Sequence, residues 1–357
     1  MVAAMEFTAG DNDSGRRLDR VLRRLWHTVP LSHVHRELRL GRVRVNGKPE
    51  KGSYRVNSGD RIALPTGHPE DRPGRKTTKR TPPGAPTLPP EPVWENDHLA
   101  AFSKSAGTPT IGAGSLAEAV APGLASAAEE SLSFRPGPLH RLDRNTSGLL
   151  LFSKSLRGAQ RFGELQEAGG LSKLYLGIVG GAALEGPGRW DFPLTRDKKR
   201  RITLVRPGGR PAETAYHPLA AATTEGAASR GASKSGSEPV PGALTLCLFV
   251  IRSGFAHQIR AHAAAGGAPL AGDRKYGGAA LLGGASGSRA AGGGGYFLHA
   301  VAVVPAHSDD VFDFKLLWAP PPARFLRTVE DHFGEGTVES LADFRRFEEV
   351  IRTTLEP

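Results

Sequence analysis

Pro138-Leu139-His140-Arg141-Leu142-Asp143-Arg144-Asn145-Thr146-Ser147-Gly148-Leu149-Leu150-Leu151-Phe152 delivers one carboxylate, flanked by two arginines, into the start of an apolar strand. Nearby positive charge favours the ionised form of Asp143, and an ionised carboxylate can act as a nucleophile. The same guanidinium groups suit a phosphate-rich substrate. Taken alone, His-Arg-Leu-Asp is also an ordinary surface turn that caps a strand, so the residues around it have to decide.

Working outward, apolar stretches at residues 99–103, 149–153, 174–179, 244–251, 296–304 and 311–316 predict several strands with few long helices between them. That pattern predicts an α+β domain beginning near residue 93. Cys247 falls inside one of these stretches and is expected to be buried. Segments 220–242 and 277–295 are rich in Ala, Gly and Ser and read as surface insertions. Near the C-terminus, Leu341, Phe344, Phe347 and Ile351 recur at helical spacing, which predicts a docked helical extension over 331–357.

The N-terminal part has a different character. Leu18, Val21, Leu22 and Leu25 fall at helical spacing, with Arg16, Arg17, Arg20, Arg23 and Arg24 around them. Leu31, Val34, His35 and Leu38 form a second stripe that ends at Gly41, accompanied by Arg36, Arg39, Arg42 and Arg44. Val43 and Val45 then lead into Asn46-Gly47, a strong hairpin turn pair, and 54–64 supplies further strand. Residues 66–92 are rich in Pro, Gly, Thr, Lys and Arg without periodic apolar positions, and read as a flexible basic linker.

The chain of 357 residues carries a formal net charge of +11 and a single cysteine. A basic excess points to a polyanionic partner, since phosphate contacts release counterions, and RNA fits this better than a membrane. No run approaches the roughly 20 apolar residues a spanning helix needs, and the N-terminus shows no basic region followed by an apolar core; a cytoplasmic protein is expected. One cysteine forms no intrachain disulfide and no cysteine-based zinc site. His140, His257, His262 and His299 match no standard ligand spacing, so neither metal nor cofactor is expected.

Thr146-Ser147-Gly148, the apolar run and Lys154, following His-Arg-Leu-Asp, resemble the catalytic signature of the RluA-type RNA pseudouridine synthases. Two further segments follow in order. One is residues 172–181 with Tyr175; the other is Gly254-Phe255-Ala256-His257-Gln258-Ile259-Arg260-Ala261-His262, followed by Gly272-Asp273-Arg274-Lys275-Tyr276-Gly277. The order helix, helix, Gly-Arg-Val-Arg-Val-Asn-Gly, Ser-Gly-Asp-Arg-Ile resembles the small RNA-binding domain of ribosomal protein S4.

These resemblances imply a small, basic, helix-rich RNA-binding domain (1–65), the linker, and a synthase domain (93–330) built on a mixed, largely antiparallel sheet. They imply Asp143 as the essential carboxylate, Tyr175 as the ring stacked on uracil, and Arg260 as the carboxylate's partner. His140, Arg141, His257 and Gln258 would contact substrate, and Arg16, Arg17, Arg20, Arg23, Arg24, Arg36, Arg39, Arg42 and Arg44 would contact RNA. Attack on the sugar carbon, addition to the ring and assistance to sugar deprotonation all stay open to Asp143. The implied partner of this expected monomer is ribosomal RNA or its precursor, with transfer RNA an alternative.

Two departures stand out: the family's usual Lys-Pro-Ala-Gly is Lys104-Ser105-Ala106-Gly107, and its Gly-Arg-Thr before His-Gln is Gly254-Phe255-Ala256. The second motivates a rival reading, a non-catalytic RNA-binding or ribosome-assembly protein that keeps the fold. A glycoside hydrolase would need a second positioned acid, and none stands out in these motifs.

Overall fold

The computed structural model describes residues 4–26, 29–65, 90–124, 131–223, 243–279, 281 and 295–355. In the N-terminal domain, helices α1 (Leu18–Leu25) and α2 (Leu31–Arg39) cover a four-stranded sheet of order β1-β4-β2-β3. Its strands are β1 (Ala4–Thr8), β2 (Arg44–Val45), β3 (Lys48–Pro49) and β4 (Arg61–Pro65). The periodic leucines Leu18 and Leu22, with Val21, Val34 and Ile62, make its fully buried core. Asn46 (φ 50°) and Gly47 (φ 79°) form the expected hairpin turn, both left-handed, which suits the twist of the paired strands. Strand β1 had no sequence signal, and only the end of 54–64 is strand. Before it, the Asp60 carboxylate gathers the Asn46 side-chain amide, the Tyr54 hydroxyl and the Asn57 N–H, making a turn instead of a ladder.

The small domain is fixed to the large one through a buried acid. Asp13 accepts from Ser131 Oγ (2.8 Å), Leu132 N (2.8 Å), Ser133 N (2.9 Å) and Ser133 Oγ (2.6 Å), while Asn12 caps the N–H of Leu156. Charge-assisted bonds of this kind are about twice as strong as neutral ones.

The large domain is a ten-stranded sheet whose main path runs β10-β13-β14-β9-β15-β8-β6-β5. In chain order its strands are β5 (Trp94–Glu95), β6 (Leu99–Lys104), β7 (Gly137–Pro138), β8 (Ser147–Ser153), β9 (Leu171–Gly181), β10 (Gly188–Trp190), β13 (Thr214–Thr223), β14 (Ala243–Ile251), β15 (Leu298–Pro305) and β16 (Leu317–Trp318). A separate two-stranded ribbon is made of β11 (Leu194–Asp197) and β12 (Ile202–Val205). Every pairing in the large sheet is antiparallel except β15 with β8, so the sheet is mixed and largely antiparallel as expected. Its central strands β8, β9, β14 and β15 are almost wholly buried because both faces are covered. One face carries the Tyr175, Phe249 and Leu298 cluster around the candidate site. The other packs β9, β14 and β15 against α6 (Ala323–Phe333), α7 (Glu335–Ala342) and α8 (Phe344–Leu355), or β6 and β8 against α4 (Leu156–Glu167). Helices α3 (Leu116–Val120) and α5 (Gln258–Ala265) lie on the site's face.

Most of the expected strands are present; 311–316 is not. There Asp309 accepts the N–H groups of Val311 and Phe312, so the chain turns, and Val311 and Phe312 are buried without joining the sheet. The helical extension begins at Ala323, ahead of residue 331, and buries Leu341, Phe347 and Ile351. Residues 220–223 belong to β13; nearly all of the rest of that insertion, and of the 66–92 linker and the 277–295 insertion, lies outside the described residues.

Gly148 opens β8 at φ 111°, and a Cβ there would stand 2.1 Å from the Ala300 carbonyl oxygen of the parallel neighbour β15. Beside it, the buried His299 ring accepts from the Ser147 hydroxyl at Nδ1 (3.0 Å) and donates from Nε2 to Ala319 O (3.1 Å). His140 Nε2 accepts the N–H of Leu151 (3.1 Å), and its ring lies parallel to Phe162. Both imidazoles are therefore neutral members of the sheet's frame. Burial lowers His299 to about 4; burial and the charge of Lys173 lower His140 to about 3.

Gly148→Ala is expected to lose about 3 kcal/mol or more of stability in denaturant titration, from overpacking and an unfavourable φ. Acid should also destabilise the fold. Unfolding lets both histidines take up protons near pH 6.5 that the folded state refuses, so stability present at neutral pH falls as pH drops from about 6.5 toward 4. Between pH 7 and 5 the loss is about 2 kcal/mol per histidine, and a His299→Asn variant should show a shallower pH dependence of its denaturant midpoint.

Candidate active site

The loop between β7 and β8 is held from both sides before it presents Asp143. Thr110 Oγ1 accepts the Leu142 N–H (3.2 Å) and donates to the Leu142 carbonyl (2.9 Å). Gly107 N–H and Lys104 Nζ both reach the Arg144 carbonyl, at 2.8 and 3.1 Å. The buried Lys104 ammonium also donates to the carbonyls of Ser105 (3.0 Å) and Thr108 (2.8 Å), so all three of its protons tie the 104–108 loop to the Asp143 loop. Burial lowers this ammonium to about 8, against the raising field of Asp143. Serine in place of proline at 105 leaves this knot intact.

Arg260, in the first turn of α5, meets Asp143 from across the pocket. Its Nη1 donates to Asp143 Oδ2 at 3.0 Å, while Nε and Nη2 form a bidentate pair with Asp273 at 2.6 and 2.9 Å. The guanidinium is sandwiched by Tyr296 (4.3 Å) and Tyr276 (4.9 Å). Burial works against its charge, but the Asp273 bond and the fields of Tyr296, Asp273 and Asp143 raise its pKa overall. Tyr296 hydroxyl donates weakly to Asp143 Oδ2 (3.4 Å).

His257 caps α5 in the left-handed region at φ 60°, a conformation that non-glycine residues adopt only where surroundings impose it. Its Nδ1 meets the Tyr276 hydroxyl at 2.9 Å, and Nε2 lies 3.8 Å from Asp143 Oδ2. Burial outweighs the pull of Asp143 and lowers His257 to about 4, so the ring is neutral at pH 7.

Asp143, Arg141, Tyr175, His257 and Arg260 line one pocket, together with Leu142, Phe255 and Leu298. Burial, then the Asp143 charge, raises the Tyr175 phenol above its ordinary pKa, so it is protonated at neutral pH. Gln258 also lines this pocket, and both it and His140 have their polar atoms engaged within the protein. Gln258 receives Ser253 Oγ and Phe255 N–H on Oε1 and donates from Nε2 to Glu213 O and Thr214 Oγ1; its amide is engaged in shaping the loop. His140 is occupied by the β8 backbone, as described above. Of the nine arginines expected on RNA, Arg16 is half-buried and donates to Ser133 Oγ, Arg17 pairs with Asp19, and Arg42 pairs with Glu37. Arg39 and Arg44 bond backbone carbonyls, whereas Arg20, Arg23, Arg24 and Arg36 are exposed without a side-chain partner among the described residues.

Sequence reasoning did not assign roles to Lys104, Asp273, Tyr276 or Tyr296. Lys104 had a signal, a lysine ending an apolar strand. Among the described residues no group of three or more His, Cys, Asp or Glu is placed to hold a metal, and no helix is long and apolar enough to cross a membrane.

The model for the family described as RNA pseudouridylate synthase matches residues 98–265, and that for the S4 domain matches 16–62. A curated relative in Salmonella typhi, named Ribosomal large subunit pseudouridine synthase C, is 30% identical over 322 residues, 89% of this chain and 93% of its own. Its namesake in Vibrio cholerae is 32% identical over 294 residues, 76% and 81% of the two chains. Among solved structures, Human RNA Pseudouridylate Synthase Domain Containing 1 superposes with a TM-score of 0.48 at 17% identity, covering 75% of this chain and 96% of its own. The chain belongs to the RNA pseudouridylate synthase family, isomerases of uridine in RNA, and carries an S4 domain at its N-terminus.

Proposed function

We propose that this enzyme isomerises specific uridines of large-subunit ribosomal RNA, with Asp143 as the essential carboxylate. The reaction breaks the bond from the base nitrogen N1 to the sugar carbon C1′, joins C5 to C1′, releases the C5 proton and returns a proton from solvent to N1. Atoms and electrons balance without an oxidant. The observation that carries the reading is the setting of Asp143: one partly accessible carboxylate aimed by Arg260 at 3.0 Å into a pocket with an aromatic and aliphatic wall. The other acid at the site, Asp273, is buried and doubly bonded to Arg260, so among the described residues no free second acid stands beside Asp143 for the paired-carboxylate chemistry of glycosidases.

Tyr175 offers a ring face on which a uracil can rest, and its protonated phenol suits a platform better than a base. Uridine within a paired helix is hidden, so the nucleotide must be flipped out or unpaired. Arg141, exposed at the pocket rim, is positioned to fill the space it leaves. Arg20, Arg23, Arg24 and Arg36 supply phosphate contacts from the S4 domain, which fix register without reading sequence. The ribosomal assignment is supported by the names of the curated relatives.

Nothing in the Phe255-Ala256 departure favours the binding-only reading. Gln258 holds the Phe255 N–H, Thr203 Oγ1 holds the Ala256 carbonyl at 2.5 Å, and the Arg210 guanidinium stands 5.0 Å over the Phe255 ring.

Asp143→Asn keeps the shape but removes the charge and the nucleophilic oxygen. Tritium release from RNA labelled at uridine C5 is expected to fall by at least about a thousandfold, with RNA affinity within about twofold. Conversion at the unaltered rate would make this carboxylate structural and end the proposal. Pseudouridine mapping in cells with and without the protein should show lost sites in large-subunit RNA; losses confined to transfer RNA would overturn the substrate assignment.

A further inference from the structure

His257 stands on the wall of the Asp143 pocket at a conformational cost. Its backbone lies in the left-handed region at φ 60°, a strain that persists only where the fold over-determines it. The side chain is 13% exposed, and its Nε2 stops 3.8 Å from Asp143 Oδ2, beyond hydrogen-bond distance. Nε2 makes no hydrogen bond among the described residues. Neighbouring donors are engaged within the protein: Arg260 uses Nη1 on Asp143 and Nε and Nη2 on Asp273, while the Gln258 amide holds Glu213 and Thr214.

Hydrogen-bond roles decide which ring nitrogen carries the proton. Burial raises the Tyr276 phenol, so it is protonated at neutral pH. Its oxygen accepts the Thr203 N–H at 2.8 Å, and its other hydrogen-bond partner among the described residues is His257 Nδ1 at 2.9 Å. A phenol has one proton to donate, and here it goes to Nδ1. Nδ1 is therefore the acceptor, and the proton of the neutral imidazole sits on Nε2. The carboxylate works in the same direction, because Asp143 attracts a facing N–H and repels a facing lone pair. The site thus presents an N–H toward the pocket that nothing among the described residues accepts.

The chemistry of the base supplies an acceptor. Attack at C1′ and elimination after sugar deprotonation both send the N1–C1′ electron pair out with the uracil, whose negative charge spreads over N1 and the carbonyl oxygens. Addition of the carboxylate to the ring instead places the charge on the oxygen at C4. Every route open to Asp143 builds charge on a uracil carbonyl oxygen, and a fixed donor stabilises such charge as it develops. We propose that His257 is a catalytic residue whose Nε2–H donates a hydrogen bond to a carbonyl oxygen of the reacting uracil, and that Tyr276 is the positioning residue that sets its tautomer. This rests on the reading of the site as one that isomerises uridine. The bond passes no proton: the base's electron pair forms the C5–C1′ bond, the C5 proton leaves, N1 takes one from solvent, and His257 ends as it began.

The test uses the full chain with isotope-labelled imidazole nitrogens, the His257 signals being those missing from the His257→Gln spectrum. At neutral pH, nitrogen NMR should show Nε2 protonated and Nδ1 bare, and Tyr276→Phe should mix the two tautomers. Single-turnover conversion is then measured at saturating RNA, on a stem-loop carrying a uridine that the wild-type chain converts. His257→Leu and His257→Gln share the same backbone strain, and only Gln keeps an N–H to offer. Leu should slow conversion at least about a hundredfold with RNA affinity within about threefold, and Gln should regain at least about tenfold of that loss. A proton on Nδ1, a wild-type rate in the Leu variant, or equal losses in Leu and Gln would overturn the donor. A wild-type chain that releases no tritium would instead overturn the proposed function, and the tautomer is read without turnover.

Discussion

A single guanidinium held between two carboxylates organises this molecule's site. Arg260 grips Asp273 through two bonds and Asp143 through one, between two tyrosine rings. A buried charge is tolerated only when paired and hydrogen-bonded, and here the pairing is unequal by design of geometry. Asp273 fixes the plane of the guanidinium, which leaves one Nη1 proton to aim at Asp143. Asp143 thus keeps one oxygen oriented while remaining the accessible member of the trio. Its neighbours add no competing charge at neutral pH, since burial holds His257 neutral and Tyr175 and Tyr296 protonated.

The fold supplies the distances that this arrangement needs. Asp143 and Arg260 come from elements more than a hundred residues apart, joined because β8, β15, β9 and β14 are neighbours in one sheet. Gly148 permits β8 to lie against the Ala300 backbone, and Lys104 and Thr110 clamp the loop that precedes it. Polar groups buried at these joints are all bonded, which gives a unique arrangement and not merely a compact one. The S4 domain is docked through Asp13, which places its exposed arginines on a defined side of the same body.

What could be read from sequence followed from local pattern. The amphipathic helices, the Asn46-Gly47 turn and most long apolar strands declare themselves within a few residues, and Asp143, Tyr175 and Arg260 lie in compact motifs. Side-chain direction does not declare itself in this way. Gln258 sits between His257 and Arg260 in sequence, yet its amide points to Glu213 and Thr214; His140 adjoins Arg141, yet bonds β8. Likewise Arg16 and Arg17 belong to the same basic stripe as Arg20, but one is taken by the domain interface and the other by Asp19. The Asp273 and Tyr296 partnerships depend on long-range contacts that no short window contains. The 311–316 segment was misread because burial alone can produce an apolar run without a ladder.

The most direct test of the account is Asp273→Asn, which leaves Asp143, Tyr175 and the exposed arginines of the S4 domain unaltered. With one of its two anchors weakened, Arg260 should lose its fixed plane and Asp143 its aim. Single-turnover conversion of uridine, measured at saturating RNA, is expected to slow by at least about tenfold, with RNA affinity within about twofold of wild type. A single-turnover rate equal to wild type, in a variant that folds and binds RNA normally, would contradict the claim that the shared guanidinium positions Asp143 for the reaction.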